Sequence, residues 1–269
     1  MGRNAGKKLM YRAVSMFSSG ISSWAATKRY AEQNGTAGMA LLFADTGIED
    51  EDNYRFLHEA ADNVGAPLEI IADGRTPWEV MRERKIIGNS RIDPCSDILK
   101  RKILHKWQSE HCDSATDIIL GICFDEEHRF TRIKDRTDSW NYVAPLCDKP
   151  WLTKRDTLQW AKSEGLEPPR MYDMGFAHAN CGGFCIKAGQ ASFATLLKNF
   201  PERYRHHEEQ EQSMRVLVGE HSILKESKEG KSQPLTLKEL RERIEADAAN
   251  YNEFDFGGCG CALPTGERN

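Results

Sequence analysis

The sequence predicts an α/β fold, a doubly wound parallel sheet followed by a helical, cysteine-bearing C-terminal region. Three observations carry that expectation. Short apolar runs alternate with amphipathic segments as far as about residue 145, the pattern of βαβ units. One of those runs, Met39 to Ala44 (MALLFA), is apolar without a break, as a strand covered on both faces must be. Polar residues then gather just past the run ends, at Ser18 to Ser23, Asp45-Thr46 and Asp125 to Arg129. Doubly wound sheets bind their ligands at those carboxyl ends.

Taken in order, Tyr11 to Phe17 reads as a first strand and Ser23 to Gln33 as a helix stopped by Asn34-Gly35. Met39 to Ala44 is the second strand. A helix from about Glu49 to Val64 follows, with acids in its first turn, which the helix dipole favours, and Gly65 at its end. Leu68 to Ala72 (LEIIA) is the third strand, Ser96 to Glu110 an amphipathic helix, and Asp117 to Ile122 (DIILGI) the fourth strand. Beyond Trp151 the texture changes. Lys154 to Glu164 reads as helix, Gly165 to Gly189 as a turn-rich crossing, and Gln190 to Phe200 as a helix ended by Pro201. Glu202 to Ser227 is densely charged and reads as an exposed helix, with His206 and His207 facing solvent. Glu226 to Pro234 resembles a linker. Thr236 and Glu239 form a capping-box pattern before a last helix to about Asn250. The organisation expected is a nucleotide-binding α/β domain over residues 1–150 and a helical region over 151–269 that folds back over the strand ends.

The chain has 269 residues and a formal net charge of −4. That charge provides no general attraction to nucleic acid or anionic membrane. No stretch approaches the ~20 apolar residues of a membrane span, and the N-terminal residues lack the apolar core of a secretory signal, so the expected location is cytoplasmic. Eight cysteines in a reducing compartment point to metal binding, catalysis or plain burial rather than to a disulfide framework. Cys112, Cys123 and Cys147 are scattered and read as core or surface thiols, whereas Cys181/Cys185 and Cys259/Cys261 are close pairs set among glycines.

The stretch Phe17-Ser-Ser-Gly-Ile-Ser-Ser23 bears on function. A helix N-terminus offers unpaired N–H donors and about half a positive charge, enough to hold an anion without a lysine. Ser18, Ser19, Ser22 and Ser23 add donors, and Gly20 permits close backbone approach. A plain serine N-cap is the simpler account, but four hydroxyls exceed what capping requires. The motif is neither a GxxxxGK[ST] loop nor a dinucleotide GxGxxG.

Five segments in order resemble the phosphoadenosine phosphosulfate (PAPS) reductase and PP-loop ATP pyrophosphatase superfamily, the adenine nucleotide alpha-hydrolase-like group, and within it the reductase branch. They are the serine-rich loop, Leu42-Phe-Ala-Asp-Thr-Gly47 with Asn53-Tyr-Arg-Phe56, Asp93-Pro-Cys-Ser-Asp-Ile-Leu-Lys100, Gly121 to Arg129, and Val143-Ala-Pro-Leu146. The resemblance implies an adenine nucleotide, ATP or a sulfonucleotide, with its phosphates over Ser18 to Ser23. Asp45 and Thr46 would lie near the adenosine, and Lys100 and Arg129 near the anionic end, as catalytic groups. On the residues alone, Asp45 also reads as a strand-end turn and Arg129 as a solvated arginine. Ser22 stands where the pyrophosphatase motif has Asp, which tilts toward the reductases and away from magnesium-assisted ATP cleavage.

The cysteine layout is similar to that of cluster-bearing reductases of the same group, which implies a four-iron, four-sulfur cluster on Cys95, Cys181, Cys185 and Cys259 or Cys261. Structural zinc on those thiols is the second choice. A third reading makes Cys259 or Cys261 the nucleophile of a mobile arm. The chain departs from the group in having Ser96 beside Cys95, a CxxxC pair, and a GGCGC tail. The functions expected are ATP-dependent, pyrophosphate-releasing sulfur transfer, or reduction of a sulfonucleotide, or nucleotide binding without turnover in a larger complex. The partners expected are the nucleotide, a redox or sulfur-donor protein, a nucleic-acid substrate only through a partner, and a second copy of the chain.

Overall fold

The computed structural model describes residues 10–134, 140–228, 230–246 and 251–258. Its centre is a five-stranded parallel sheet of β1 (Ala13–Met16), β2 (Met39–Asp45), β3 (Leu68–Ala72), β4 (Asp117–Ile119) and β5 (Asn141–Val143), in the order β3-β2-β1-β4-β5. Val14 lies between Ala40 of β2 and Ile118 of β4. Successive side chains of a strand point to opposite faces, and both faces here are covered. Ala13, Leu41 and Phe43 pack with α1 (Ile21–Asn34), α2 (Glu51–Val64) and α7 (Lys154–Ser163) through Trp24, Phe56, Leu57 and Ala161. Val14, Leu42, Ala44 and Ile118 pack on the other face with Leu104 of α5 (Ile103–His111) and with Phe130 and Ile133 of α6 (Glu127–Lys134). This two-sided burial is why Met39 to Ala44 could not alternate with polar residues, and the α/β expectation stands.

The region after β3 holds α3 (Pro77–Arg84), closed at its start by a Thr76–Glu79 capping box. The helix expected over Ser96 to Glu110 is not uniform. A short turn, α4 (Pro94–Ser96), runs into a wide π turn, Asp97–Lys102, before α5 begins. Lys100 sits on that π turn, a feature that often marks functional positions.

Beyond α7 come α8 (Gln190–Asn199), α9 (Pro201–Val218), a two-stranded antiparallel hairpin of β6 (Leu224–Lys228) and β7 (Lys231–Leu235), and α10 (Leu237–Ala246). Phe184, Phe193, Tyr204, Met214, Leu235 and Leu240 share a second core with Trp78 and Met81 of α3. Two expectations fail here. The segment read as a linker is the hairpin, with Gly230 at φ +75° in its turn. The helix read as exposed instead buries Tyr204, His207, Glu211 and Met214, spaced by three, four and three along one face. Two of those four, His207 and Glu211, are types that usually face water, so the stripe was hidden from a polarity-based reading.

His207 does not face solvent. It is 4% exposed, its Nδ1 accepts the Trp78 indole N–H at 3.0 Å, and its ring stacks on Phe184 with centroids 3.7 Å apart. Burial, with His206 and Arg203 nearby, pushes its pKa down to about 3. Glu211 is a buried staple. Its carboxylate accepts the backbone N–H of Ile223 at 2.9 Å and of Leu237 at 2.6 Å, tying α9 to both ends of the hairpin.

Burial pushes the Glu211 carboxyl up to about 7, against the two N–H bonds that favour its charged form. The unfolded chain therefore releases this proton at lower pH than the fold does. Stability contributed at this site falls as pH rises from about 4.5 toward 7, by about 3 kcal/mol in all. Glu211→Gln is neutral at every pH, so the wild type's advantage over the variant should shrink between mildly acidic and neutral pH in denaturant titrations. A constant difference would refute the assignment.

Candidate active site at the strand ends

The strand order reverses between β1 and β4: the chain leaves β1 toward β2 and β3, and leaves β4 toward β5. The loops after these two strands flank the topological switch point, the place where doubly wound sheets bind ligands. Gly121, just past β4, is required there. A Cβ on it would lie 2.6 Å from Ser23 Cα and 2.7 Å from Ser23 N, so any larger residue would push the β4 loop off the first turn of α1.

The β1–α1 loop divides its hydroxyls by task. Ser23 Oγ donates to the Gly20 carbonyl at 2.8 Å and accepts the Ser18 N–H at 3.2 Å. Ser18 Oγ donates to Ser23 Oγ at 3.3 Å. Those two serines lock the loop. Ser22 Oγ accepts the Cys123 thiol at 3.1 Å, and burial pushes that thiol's pKa up to about 11. Ser19 is different. It adopts the left-handed conformation at φ +51°, which costs a non-glycine residue about 1–2 kcal/mol. It is fully buried, and its Oγ has no hydrogen-bond partner among the described residues. Gly20, the N-cap, supplies no side-chain cap. One N–H of the first turn, that of Ile21, donates to the Tyr172 hydroxyl at 3.2 Å. The Ser23 and Trp24 N–H groups reach the Gly20 carbonyl at 3.1 and 3.2 Å, and the positive end of the helix dipole lies beside the unsatisfied Ser19 hydroxyl.

At the end of β2, Asp45 Oδ1 accepts the Gly47 N–H at 2.8 Å and the Tyr54 hydroxyl at 2.7 Å. This closes the strand-end turn that its residue type suggested. Thr46 is buried, with its hydroxyl donating to Glu49 Oε1 at 3.3 Å. Glu49 and Asp50 follow, and both carboxylates are buried. Glu49 accepts the backbone N–H of Cys181 at 2.5 Å and the Asn53 amide at 3.2 Å. Lys100 Nζ lies 3.9 Å from Glu49 Oε1 and 3.8 Å from Cys181 Sγ. Burial raises the Glu49 carboxyl, and the Lys100 ammonium draws it partly back.

Asp50 caps α2 through the Asp52 N–H, takes a two-pronged hydrogen bond from Arg170 at 2.9 Å on each oxygen, and takes another from Arg203 at 2.9 Å. Burial opposes its charge, but the two guanidinium groups win and hold it below the usual carboxylate range. Arg203 also donates to the Gly182 carbonyl at 2.7 Å. Cys181 and Gly182 are both left-handed, at φ +55° and +56°, and a Cβ on Gly182 would meet the Ile48 carbonyl at 2.5 Å. The cysteine loop is thus pressed, under strain, onto the β2–α2 turn.

The structure gathers Lys100, Cys181 and Glu49, and separately Ser18 to Ser23 with Cys123. Arg129 pairs with Glu126 one turn earlier. The metal expectation also fares differently. Among the described residues, no three His, Cys, Asp or Glu side chains are arranged to hold a metal ion. Cys95 packs beside Val80, Ile98 and Leu99, and Cys181 Sγ lies 3.8 Å from Lys100 Nζ. Cys259 and Cys261 lie outside the described residues. The segment leading to them is anchored: Asp255 accepts the Ala191 N–H at 2.9 Å, and the Gly258 N–H donates to the Lys187 carbonyl at 3.0 Å. Phe256 and Gly258 there help line a cleft with Cys181 and Cys185.

Sequence reasoning missed Glu49, Tyr172, Arg170 and Arg203. Glu49 looked like one of several first-turn acids, and nothing in its neighbourhood signalled burial. Tyr172 and the arginines reach the site from the C-terminal region, by contacts 132 residues apart in the case of Glu49 and Cys181.

No protein-family model matches the chain, and no curated protein matches it either. Among solved structures it is similar to a PAPS reductase from Candida auris in a phosphate complex, at 13% identity and a TM-score of 0.42, covering 64% of this chain and 80% of that one. It is also similar to an NH3-dependent NAD synthetase from Campylobacter jejuni in complex with nitrate, at 10% identity and a TM-score of 0.38, covering 80% and 85% respectively.

The Asp50 clamp yields a direct test. Asp50→Ala leaves two guanidinium groups without their carboxylate. Because both arginines retain some contact with water, the expected loss is about 2 kcal/mol. Amide exchange should accelerate at Cys181 to Phe184 and leave β4 and α5 unchanged. Uniform acceleration, or none, would show that the clamp does not hold the cysteine loop.

Proposed function

We propose that this chain is an adenine-nucleotide-dependent enzyme of sulfur chemistry, binding the nucleotide phosphates at the N-terminus of α1. The observation that carries the reading is Ser19: a buried hydroxyl without a partner, held in a strained conformation, beside an uncapped helix start at the switch point of the sheet. An oxyanion there would satisfy Ser19 and face the positive end of the α1 dipole. The ordered motif resemblance supplies the nucleotide identity. Tyr172 would exchange its contact with Ile21 for one to the incoming phosphate.

In the favoured chemistry, an acceptor oxygen attacks the α-phosphorus of ATP and pyrophosphate leaves. A sulfur nucleophile, delivered as a persulfide by a donor protein, then displaces AMP from the adenylated acceptor, and a dithiol reductant cleaves the acceptor–donor disulfide so formed to release the thiolated product. The helix dipole and loop N–H groups stabilise charge growing on the phosphates. Cys181 is the described thiol placed to carry sulfur, since the ammonium 3.8 Å away stabilises negative charge on it. An iron–sulfur cluster or zinc ion would need donors beyond Cys95, Cys181 and Cys185, and Cys259 or Cys261 would have to supply them. No step above runs through such a group.

One observation favours a second reading, the sulfonucleotide reductase. Ser22 offers a hydroxyl engaged with Cys123 where a pyrophosphatase would place a carboxylate for a metal ion. A tail thiolate would then attack the sulfur of adenylyl sulfate, the nucleotide would leave, and a dithiol carrier would reduce the resulting thiosulfonate to release sulfite.

Pyrophosphate release from ATP and sulfite release from adenylyl sulfate, run on the same preparation, separate the two. The favoured reading expects the first, with Ser19→Ala weakening ATP binding about 3- to 10-fold and Cys181→Ser sparing it. Sulfite alone would establish the reductase. Neither product, with intact nucleotide binding, would leave a non-catalytic nucleotide-binding subunit.

A further inference from the structure

A second cavity, about 500 Å³ in volume, opens beside Glu49. It is lined by Ile48 and Glu49 of the β2–α2 turn, by Trp78 and Arg82 of α3, and by Arg203 and His206 of α9, among others. Its size is that of a site for a small organic molecule, and none of the chemistry above uses it.

Its walls differ in character. Ile48 and Trp78 offer apolar surface, and Trp78 is fixed by its stack on Phe184 and by the bond from its indole N–H to His207. Arg82 spends one N–H on Gln210 at 3.2 Å, out of the five donors a guanidinium carries. Arg203, from the facing helix, gives one N–H to Asp50 at 2.9 Å and one to the Gly182 carbonyl at 2.7 Å, again out of five. Against these stand two carboxylates. Glu79 is occupied by the Thr76 N–H and hydroxyl. Glu49 is turned toward Cys181, Asn53 and Lys100. Formal charge across the opening balances, two guanidinium groups against two carboxylates; because both carboxylates are engaged by other donors, the hydrogen-bond donors left facing the opening are those of the guanidinium groups, over an apolar side wall.

We infer that this cavity binds a small molecule bearing an oxyanion on a flat apolar body, with the anion between Arg82 and Arg203 and the body against Ile48 and Trp78. Its inner end would meet Glu49, the residue that also touches Lys100 and the Cys181 loop. Resting on the proposed function, this ligand is the second substrate, admitted from the α3–α9 side while the nucleotide occupies the β1–β4 crevice. A carboxylate and a phosphate ester share this recognition chemistry, because a guanidinium meets either in a two-pronged fashion.

The test uses the full chain, with benzoate and phenyl phosphate as probes, followed by ligand-observed NMR and calorimetry. At least one should bind in the millimolar range, and Arg82→Ala should weaken it about tenfold or more. Arg82→Lys should recover part of the loss. If Arg82→Ala does not fold, His206→Ala, at an exposed position on the rim, serves instead and should weaken binding by a smaller factor. Tighter benzoate binding assigns the carboxylate class, and tighter phenyl phosphate binding the phosphate class. ATP is titrated separately and should not displace either probe. Absence of binding by both probes, binding indifferent to Arg82, or displacement by ATP would each overturn the proposal. Probe binding in a chain that fails to bind ATP would overturn the nucleotide reading and leave this pocket standing.

Discussion

Glu49 and Asp50 are adjacent, buried acids, and the arrangement of the strand ends depends on them. A lone carboxylate in such a place would be strongly disfavoured. Each is retained because groups distant in sequence come to meet it: the Cys181 amide and Lys100 at Glu49, Arg170 and Arg203 at Asp50. Satisfying the pair fixes where the C-terminal region must lie. Arg203 then reaches on to the Gly182 carbonyl, and the left-handed turn at Cys181 and Gly182 is held in a conformation it would otherwise leave. Two residues of the first half thereby position the thiol, the tyrosine and the arginines contributed by the second.

That constraint gives the strand-end surface two unlike compartments. On the β1–β4 side lie a helix start, a buried hydroxyl and the backbone of a glycine-bearing loop, all fit for phosphate. On the α3–α9 side lie guanidinium groups and an aromatic wall. Lys100, carried on a π turn, lies beside Cys181 and Glu49. A reaction that joins a nucleotide to a second molecule needs such a partition, with one shared group at the boundary, and Glu49 occupies that boundary here.

Much of the sheet was legible because its physics is local. Leu41, Leu42 and Phe43 must all be apolar when helices cover both faces, and Asn34-Gly35 and Gly65 stop helices by conformation alone. The serine loop was legible as unusual, but only the structure shows that Ser18 and Ser23 are structural while Ser19 is unpaired. The C-terminal half was less readable. The stripe of α9 runs through His207 and Glu211, whose burial depends on Trp78, Ile223 and Leu237 arriving from elsewhere. Asp45 and Arg129 were expected near a ligand because of their positions in motifs. Asp45 is held by Gly47 and Tyr54, and Arg129 by Glu126, bonds that no motif specifies.

The central claim is that the start of α1 holds nucleotide phosphate. Amide hydrogen exchange measured with and without ATP addresses it at the backbone itself. The account predicts slowed exchange at Ser19 to Trp24 and at Gly121 to Cys123 when ATP is added, with little change in β6 and β7. ATP binding that leaves Ser19 to Trp24 unprotected, or protects only the α3–α9 side, would contradict it.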